Sequence, residues 1–158
     1  DLLAELAVAP TRIEIEVTEN TLLDRESEKV AGGLQDLHAL GVTITLDDFG
    51  TGYASLTHLR RFPLDRLKID GSLIRKIGVD ANEAVIVRGI TNFAHTLGMS
   101  VVAEGVETAE QLGYLRLHGC DFAQGYLIAE PLSPSGLETY LARQAQANNC
   151  HALSVPPP

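Results

Sequence analysis

Short apolar runs alternate along the chain with longer segments in which apolar residues recur at helical spacing. The short runs predict five strands, at residues 12–17, 42–47, 66–69, 100–103 and 121–123. The longer segments predict five helices, at residues 27–40, 53–62, 81–97, 108–118 and 135–147. Gly41, Gly98 and Gly119 directly follow three of these helices, as is typical of helix ends. Repeated strand–helix units of this kind predict a parallel sheet whose strands are connected by helices.

The predicted strands differ in polarity between their two faces. One face of the first four strands is apolar, with Ile13, Ile15, Val17, Val42, Ile44, Leu46, Leu67, Ile69, Val101 and Ala103. The other face contains polar residues in each of them, with Glu14, Glu16, Thr43, Thr45, Asp47, Arg66, Lys68, Asp70, Ser100, Val102 and Glu104. A doubly wound sheet is covered on both faces and should be apolar on both, whereas a barrel can turn a polar face inward. The pattern therefore favours a (β/α)8 barrel over an open doubly wound sheet.

Acidic residues close the polar face of four different strands, at Glu16, Asp47, Asp70 and Glu104, and Asp48 follows Asp47 directly. In a barrel these strand ends surround one mouth, where active sites lie. Carboxylate oxygens are ligands of hard cations, and two such ions close together suit in-line attack on a phosphodiester. The alternative is that these residues only cap the following helices. Lys68, on the same face, is either a structural ion-pair partner or a residue that orients a nucleophilic water.

Composition narrows the classes of function. The 158 residues carry a formal net charge of −9, which argues against binding of a nucleic-acid polymer. No apolar stretch is long enough for a membrane span and no signal peptide begins the chain, so we expect a cytoplasmic protein. The chain begins at Asp1 rather than Met, and we therefore expect a fragment of a longer protein whose upstream segments could anchor it to a membrane.

Five ordered segments together resemble the EAL family of bacterial cyclic-di-GMP phosphodiesterases, over about residues 1–142. They are residues 16–19 (EVTE), 47–53 (DDFGTGY), 68–70 (KID), 104–107 (EGVE) and 124–126 (QGY). The resemblance implies a TIM-like (β/α)8 barrel that is incomplete here, with about five of its eight strand–helix units. It places the C-terminal two-thirds of an EAL domain at residues 1–147, and we expect residues 148–158 to be a disordered tail.

The resemblance also implies a reaction and a set of metal ligands. The family opens cyclic-di-GMP to linear pGpG with Mg²⁺ or Mn²⁺, two ions in the intact site. By similarity, Glu16 and Asp47 are ligands of one ion, and Asp47 and Asp48 bridge to or hold the second. Asp70 belongs to the same shell.

The remaining motif residues receive catalytic or supporting roles from the same resemblance. Lys68 positions the attacking water, and Glu104 is the general base or a close neighbour of the metal. Gln124 supports the water network and Glu107 has a structural role. Glu19 steadies the loop that contains Phe49, Gly50, Thr51 and Gly52.

The Glu-Ala-Leu motif that names the family is absent from this sequence, as is the strand with its metal-binding Asn. Three hypotheses therefore stay open: a phosphodiesterase, a module that binds cyclic-di-GMP without hydrolysing it, and a fragment without activity of its own. Expected partners are cyclic-di-GMP, a second copy of the chain bound through the loop after Asp48, and an upstream sensor or GGDEF-type domain.

Overall fold

The computed structural model describes residues 2–23, 27–50, 52 and 59–152. The strands are β1 (Glu14–Thr18), β2 (Thr43–Phe49), β3 (Arg66–Ile69), β4 (Ser100–Ala103) and β5 (Phe122–Ala123). The helices are α1 (Leu2–Glu5), α2 (Glu19–Leu23), α3 (Ser27–Ala39), α4 (Gly71–Ile74), α5 (Ala81–Thr96), α6 (Ala109–Leu117) and α7 (Pro134–Ala152). The chain divides into two compact units, residues 1–128 with the sheet and residues 129–158 with α7.

All five strands are parallel, and they neighbour one another in the order in which they occur along the chain. A doubly wound sheet would reverse its strand order at a switch point. Sequential winding, with each strand beside the next, is the arrangement of a (β/α)8 barrel. The sheet therefore agrees with the barrel that the strand polarity predicts.

The apolar face of the sheet forms the core of the first unit. Ile44, Leu46, Leu67, Ile69 and Val101 are fully buried, in one cluster with apolar side chains of the surrounding helices. Burial of this face is the largest favourable contribution to folding. It leaves the opposite, polar face free to carry the acidic residues.

Several element bounds differ from the sequence prediction. β1 begins at Glu14 rather than Arg12, because Pro10–Arg12 form a 3₁₀ turn in which the Ile13 N–H bonds the Pro10 carbonyl. β2 continues to Phe49, and the short helices α2 and α4 are not predicted by periodicity because each contains barely one turn. Most of the predicted helix at residues 53–62 lies outside the described residues.

The last helix extends further than the sequence predicts. α7 includes residues 148–152, and the disordered tail expected from residue 148 stays a prediction. Residues 137–155 contain no Gly or Pro. The sequence therefore has no helix-breaking residue that would end α7 at residue 147. Residues 153–158 lie outside the described part, and the domain end at residue 147 stays a prediction. Among the described helices, none is both long and apolar enough to span a bilayer.

Candidate active site

A bulge in β2 brings two adjacent aspartates to the same side of the sheet. Leu46 pairs with Leu67 and Phe49 pairs with Ile69, so two residues of β2 share the place opposite Lys68. In a regular strand, neighbouring side chains point to opposite faces. Asp48 takes a left-handed conformation, with φ of 56°, and the extra residue re-aims its side chain. Carboxylate oxygens of Asp47, Asp48 and Glu104 consequently lie within 4.8 Å of one another.

Lys68 lies among three carboxylates. Its Nζ is 2.8 Å from Glu16 Oε1, 3.0 Å from Asp47 Oδ1 and 2.7 Å from Glu104 Oε1, and its side chain is 8% exposed. Burial by itself would lower the pKa of Lys68. Hydrogen bonds to Glu104, Glu16 and Asp47 outweigh burial, and the pKa is raised above its ordinary value. The ammonium therefore stays charged. Its three ion pairs agree with the interpretation of Lys68 as a structural ion-pair partner.

The acidic group fits a divalent cation. Asp47 Oδ1 is buried and, apart from the ion pair with Lys68, makes no hydrogen bond within the described residues. Four carboxylates face one ammonium here, since Asp48 joins the three that Lys68 contacts. An all-oxygen donor set with excess negative charge suits Mg²⁺, Mn²⁺ or Ca²⁺ rather than softer metals.

Asp70 lies at a helix cap, outside the close group of Asp47, Asp48 and Glu104. Its Oδ1 accepts a hydrogen bond of 2.8 Å from the Ser72 N–H at the start of α4. Hydrogen bonds from Ser72 hold the pKa of Asp70 below its ordinary value despite partial burial. Asp70 thus caps α4, as the alternative interpretation of the acidic strand ends predicts. Its assignment as a metal ligand stays a prediction.

Glu19 lies against the Gly-bearing loop that follows Asp48. Its side chain is buried at the start of α2, beside the backbone N–H groups of Gly50 and Gly52. A Cβ on Gly52 would collide with Glu19 Oε2, so a larger residue here would require the Glu19 side chain to move. Phe49 stacks on Phe93 of α5 with 6.4 Å between ring centroids. Thr51 lies outside the described residues.

Burial raises the pKa of Glu19 above its ordinary 4.5, although the two glycine N–H groups oppose the shift. A carboxyl group with a raised pKa contributes its stability below the unfolded value and loses it as the pH rises through the folded value. We expect Glu19→Gln, which never ionises, to gain stability relative to the original chain as the pH rises above about 4.5. Urea unfolding across that range measures this, with Glu138→Gln on exposed α7 as the control. A stability difference that does not change with pH would contradict it.

Thr108 and Gln111 hold the segment after Glu104 in place. Gln111 Oε1 accepts hydrogen bonds from the N–H groups of Glu107 (2.8 Å) and Thr108 (3.0 Å), which completes a capping box at the start of α6. Glu107 itself is exposed. Sequence reasoning overlooked Gln111, although the Thr-x-x-Gln pattern before a helix is a recognised cap signal.

Gln124 begins a tight contact with the same segment. The Gln124 N–H donates to Ala103 O (2.8 Å), and its carbonyl accepts from the Val106 N–H (3.0 Å). A Cβ on Gly125 would overlap the backbone of Val106. The QGY motif therefore packs directly on the EGVE motif. Gly125 is required because the backbone of Val106 occupies the place of a Cβ. The Gln124 side chain is exposed, and its role in a water network stays a prediction.

Comparison with known proteins gives consistent matches. The family model described as the EAL domain matches residues 1–131. The cyclic di-GMP phosphodiesterase NbdA of Pseudomonas aeruginosa is 43% identical over 139 residues, 88% of this chain and 18% of that protein. MucR of the same organism, a bifunctional diguanylate cyclase/cyclic di-GMP phosphodiesterase, is 41% identical over 126 residues, 80% of this chain and 18% of MucR. The chain therefore spans less than a fifth of the length of these relatives.

Solved structures with bound ligands are also similar. A complex of the MucR phosphodiesterase with c-di-GMP matches with a TM-score of 0.80 and 40% identity, covering 85% of this chain and 54% of that one. A manganese/c-di-GMP complex of Klebsiella pneumoniae BlrP1 matches with a TM-score of 0.72 and 36% identity, covering 82% and 33%. A calcium/c-di-GMP complex of BlrP1 has the same TM-score and identity. With the sequentially wound sheet, these likenesses confirm the predicted incomplete TIM-like barrel.

Proposed function

Because the chain belongs to the EAL domain family, we propose that the protein hydrolyses cyclic-di-GMP to linear pGpG. The observation that carries this proposal is the group formed by Asp47, Asp48 and Glu104 beside the buried Lys68. A solvated acidic surface would not need a strand bulge to bring adjacent aspartates together, nor a buried ammonium among them. The names of NbdA and MucR and the c-di-GMP bound in the MucR structure support the choice of substrate.

We propose Mg²⁺ or Mn²⁺ as the cofactor, two ions in the intact site. Glu16, Asp47 and Asp48 would hold them in this chain, with Asp70 as a further candidate. When bound, such ions stabilise the attacking and leaving oxygens of a phosphodiester. The excess of carboxylates over ammonium groups around Asp47 supports a cation at this place, and the manganese and calcium complexes of BlrP1 support divalent ions in a related protein.

The other residues act on the water that attacks phosphorus. Lys68 Nζ contacts three carboxylates, among them Glu104 Oε1 at 2.7 Å, and would orient the water through an N–H group released when a metal ion takes over one of these carboxylates. Glu104, beside this ammonium, would accept the water proton as general base. The oxygen then joins phosphorus as one P–O bond of the ring breaks. Gln124, which follows β5 directly, would hold a further water.

A second candidate is a module that binds cyclic-di-GMP without hydrolysing it. The motif residues that this chain contains are intact, which argues for hydrolysis, and the Glu-Ala-Leu segment, which these residues do not include, would decide between the two. MucR is named as a cyclase as well as a phosphodiesterase, which supports a GGDEF-type or sensor domain elsewhere in the protein. Dimer formation through the loop after Asp48 and a cytoplasmic location stay predictions.

The deciding experiment incubates the purified chain, and a longer form that includes the Glu-Ala-Leu segment, with cyclic-di-GMP and Mn²⁺ or EDTA. Chromatography of the nucleotides then measures pGpG. We expect metal-dependent turnover by the longer form. Turnover by the 158-residue chain would refute the inactive-fragment hypothesis, and binding without turnover in both forms would establish the sensor. Neither binding nor turnover in the longer form would overturn the proposed function.

A further inference from the structure

Two parts of the chain repeat the same arrangement of residues. His38-Ala39-Leu40-Gly41 ends α3 and leads into β2, and His95-Thr96-Leu97-Gly98 ends α5 and leads into β4. Gly41 and Gly98 both take positive φ, 96° and 80°. An aspartate then precedes the next strand in each part, Asp65 before β3 and Asp121 before β5. The motifs at the other end of the sheet do not include these residues.

In the first part, Asp65 connects three elements. Its Oδ2 accepts a hydrogen bond of 2.8 Å from the Ile44 N–H of β2, while its own N–H donates to Ile44 O (2.9 Å) and its carbonyl accepts from the Ser100 N–H of β4 (3.0 Å). His38 Nε2 contacts the other carboxylate oxygen at 3.0 Å. We call this set the first Asp–His clasp.

In the second part, Asp121 makes the corresponding contacts. Its Oδ2 accepts a hydrogen bond of 2.8 Å from the Val101 N–H of β4, and His95 Nε2 contacts the same oxygen at 2.8 Å. These residues form the second Asp–His clasp. Two clasps built alike at separate places in the sheet argue against a chance surface contact.

Both clasps lie the same distance along the strands from the acidic site. Asp47 is three residues beyond Ile44, and Lys68 is three residues beyond Asp65. In the second part, Glu104 is three residues beyond Val101, and Gln124 is three residues beyond Asp121. Three residues of strand span roughly 10 Å. Each clasp thus ties the starts of two adjacent strands whose far ends carry a carboxylate on one and Lys68 or Gln124 on the other.

We propose that Asp65 and Asp121 are positioning residues, which set the register of the strand pairs that hold Asp47 against Lys68 and Glu104 beside Gln124. The inference rests on the proposed function of that site. A one-residue slip between parallel strands would turn each acidic side chain to the apolar face. Short strands such as β3 and β5 form few backbone hydrogen bonds that oppose a shift in register. The hydrogen bonds that the Asp65 and Asp121 side chains accept at the strand starts therefore contribute strongly to the register.

The test compares Asp65→Ala with Asp65→Asn in the 158-residue chain. The alanine removes the acceptor for the Ile44 N–H, whereas asparagine keeps an oxygen at that place. One readout is hydrogen exchange of the Ile44 amide, and the other is the NMR signal of the Lys68 ammonium, which exchanges slowly because the group is buried in three ion pairs. Lys76→Ala, which breaks the exposed Lys76–Glu83 pair, is the control.

We expect Asp65→Ala to speed exchange at Ile44 at least about tenfold and to shift or broaden the Lys68 signal in a chain that circular dichroism shows to be folded. Asp65→Asn should restore both, and Lys76→Ala should change neither. If Asp65→Ala fails to fold, hydrogen exchange of the Val101 amide is measured in Asp121→Ala and Asp121→Asn instead. An unchanged Lys68 signal, or a change that asparagine does not rescue, would overturn the positioning role.

A turnover measurement separates this inference from the proposed function. In the longer, active form, Asp65→Ala should lower kcat with little change in KM, since the clasp lies outside the substrate site. An inactive original enzyme would refute the proposed function and leave the NMR result standing. An active enzyme in which Asp65→Ala keeps full kcat would refute the positioning role alone.

Discussion

Asp47→Asn is expected to weaken Mn²⁺ binding at least about 100-fold and to abolish the proposed turnover of cyclic-di-GMP in the longer form of the protein. Loss of a mere outer partner of a metal ligand costs about 10–100-fold in affinity, so loss of a ligand's charge should cost no less. Asp47 is central to the group because it lies near Asp48, Glu104 and Lys68 at once. Calorimetric titration with Mn²⁺ and an assay for pGpG measure the two effects.

Asp36→Asn is the matched control for this substitution. It removes the same charge from an exposed position on α3 and should leave both measurements unchanged. Asparagine is nearly isosteric with aspartate, and we therefore expect the Asp47 variant to keep its fold by circular dichroism. Retained turnover in Asp47→Asn would remove Asp47 from the proposed metal site.

Lys68→Met is expected to destabilise the metal-free chain by roughly 3 kcal/mol. The substitution removes the buried ammonium that neutralises the carboxylates of Glu16, Asp47 and Glu104. The same substitution should make stability more dependent on metal. In the proposed site, Lys68 and a divalent cation would contact the same carboxylates, and removal of one cation increases the attraction for the other. The free energy of unfolding, measured in urea with EDTA and with Mn²⁺, should therefore show a larger metal effect in the variant than in the original chain.

The control for this prediction is Lys76→Met, in which an exposed lysine loses its ion pair with Glu83. Its metal effect should equal that of the original chain. In the active form, Lys68→Met should also lose turnover while Mn²⁺ still binds, because the proposed role of Lys68 concerns the water. If Mn²⁺ stabilises Lys68→Met no more than the original, the metal and the lysine do not share their carboxylates.

Much of the barrel could be predicted from polarity along single strands. The alternation from Val42 to Asp47 places Ile44 in the core and Thr45 on the opposite face, and β3 has the predicted bounds. Alternation is a local property, because successive side chains of a strand point to opposite faces. The same alternation places Glu16, Lys68 and Glu104 on one face of the sheet, where the structure brings both carboxylates into contact with the ammonium.

The candidate site could be predicted only in part, because its finer geometry depends on departures from regular structure. Strict alternation would send Asp48 to the core face, and only the bulge with its positive φ places it with Asp47. Asp70 was grouped with the metal ligands by its position at a strand end, yet its carboxylate caps α4. Caps and bulges depend on which backbone groups lie within reach, and strand periodicity does not contain that information.

The sequence by itself determined which strands exist, which face of each is polar, and which family this protein belongs to, since all three depend on residue order along the chain. Only the tertiary structure decided that three carboxylates share one buried ammonium, and that two Asp–His clasps lie at the far end of the same strands. Those features join residues twenty or more positions apart, such as His38 and Asp65. Their partners are selected by the folded sheet, because hydrogen bonds and ion pairs form only between groups that folding has brought within reach.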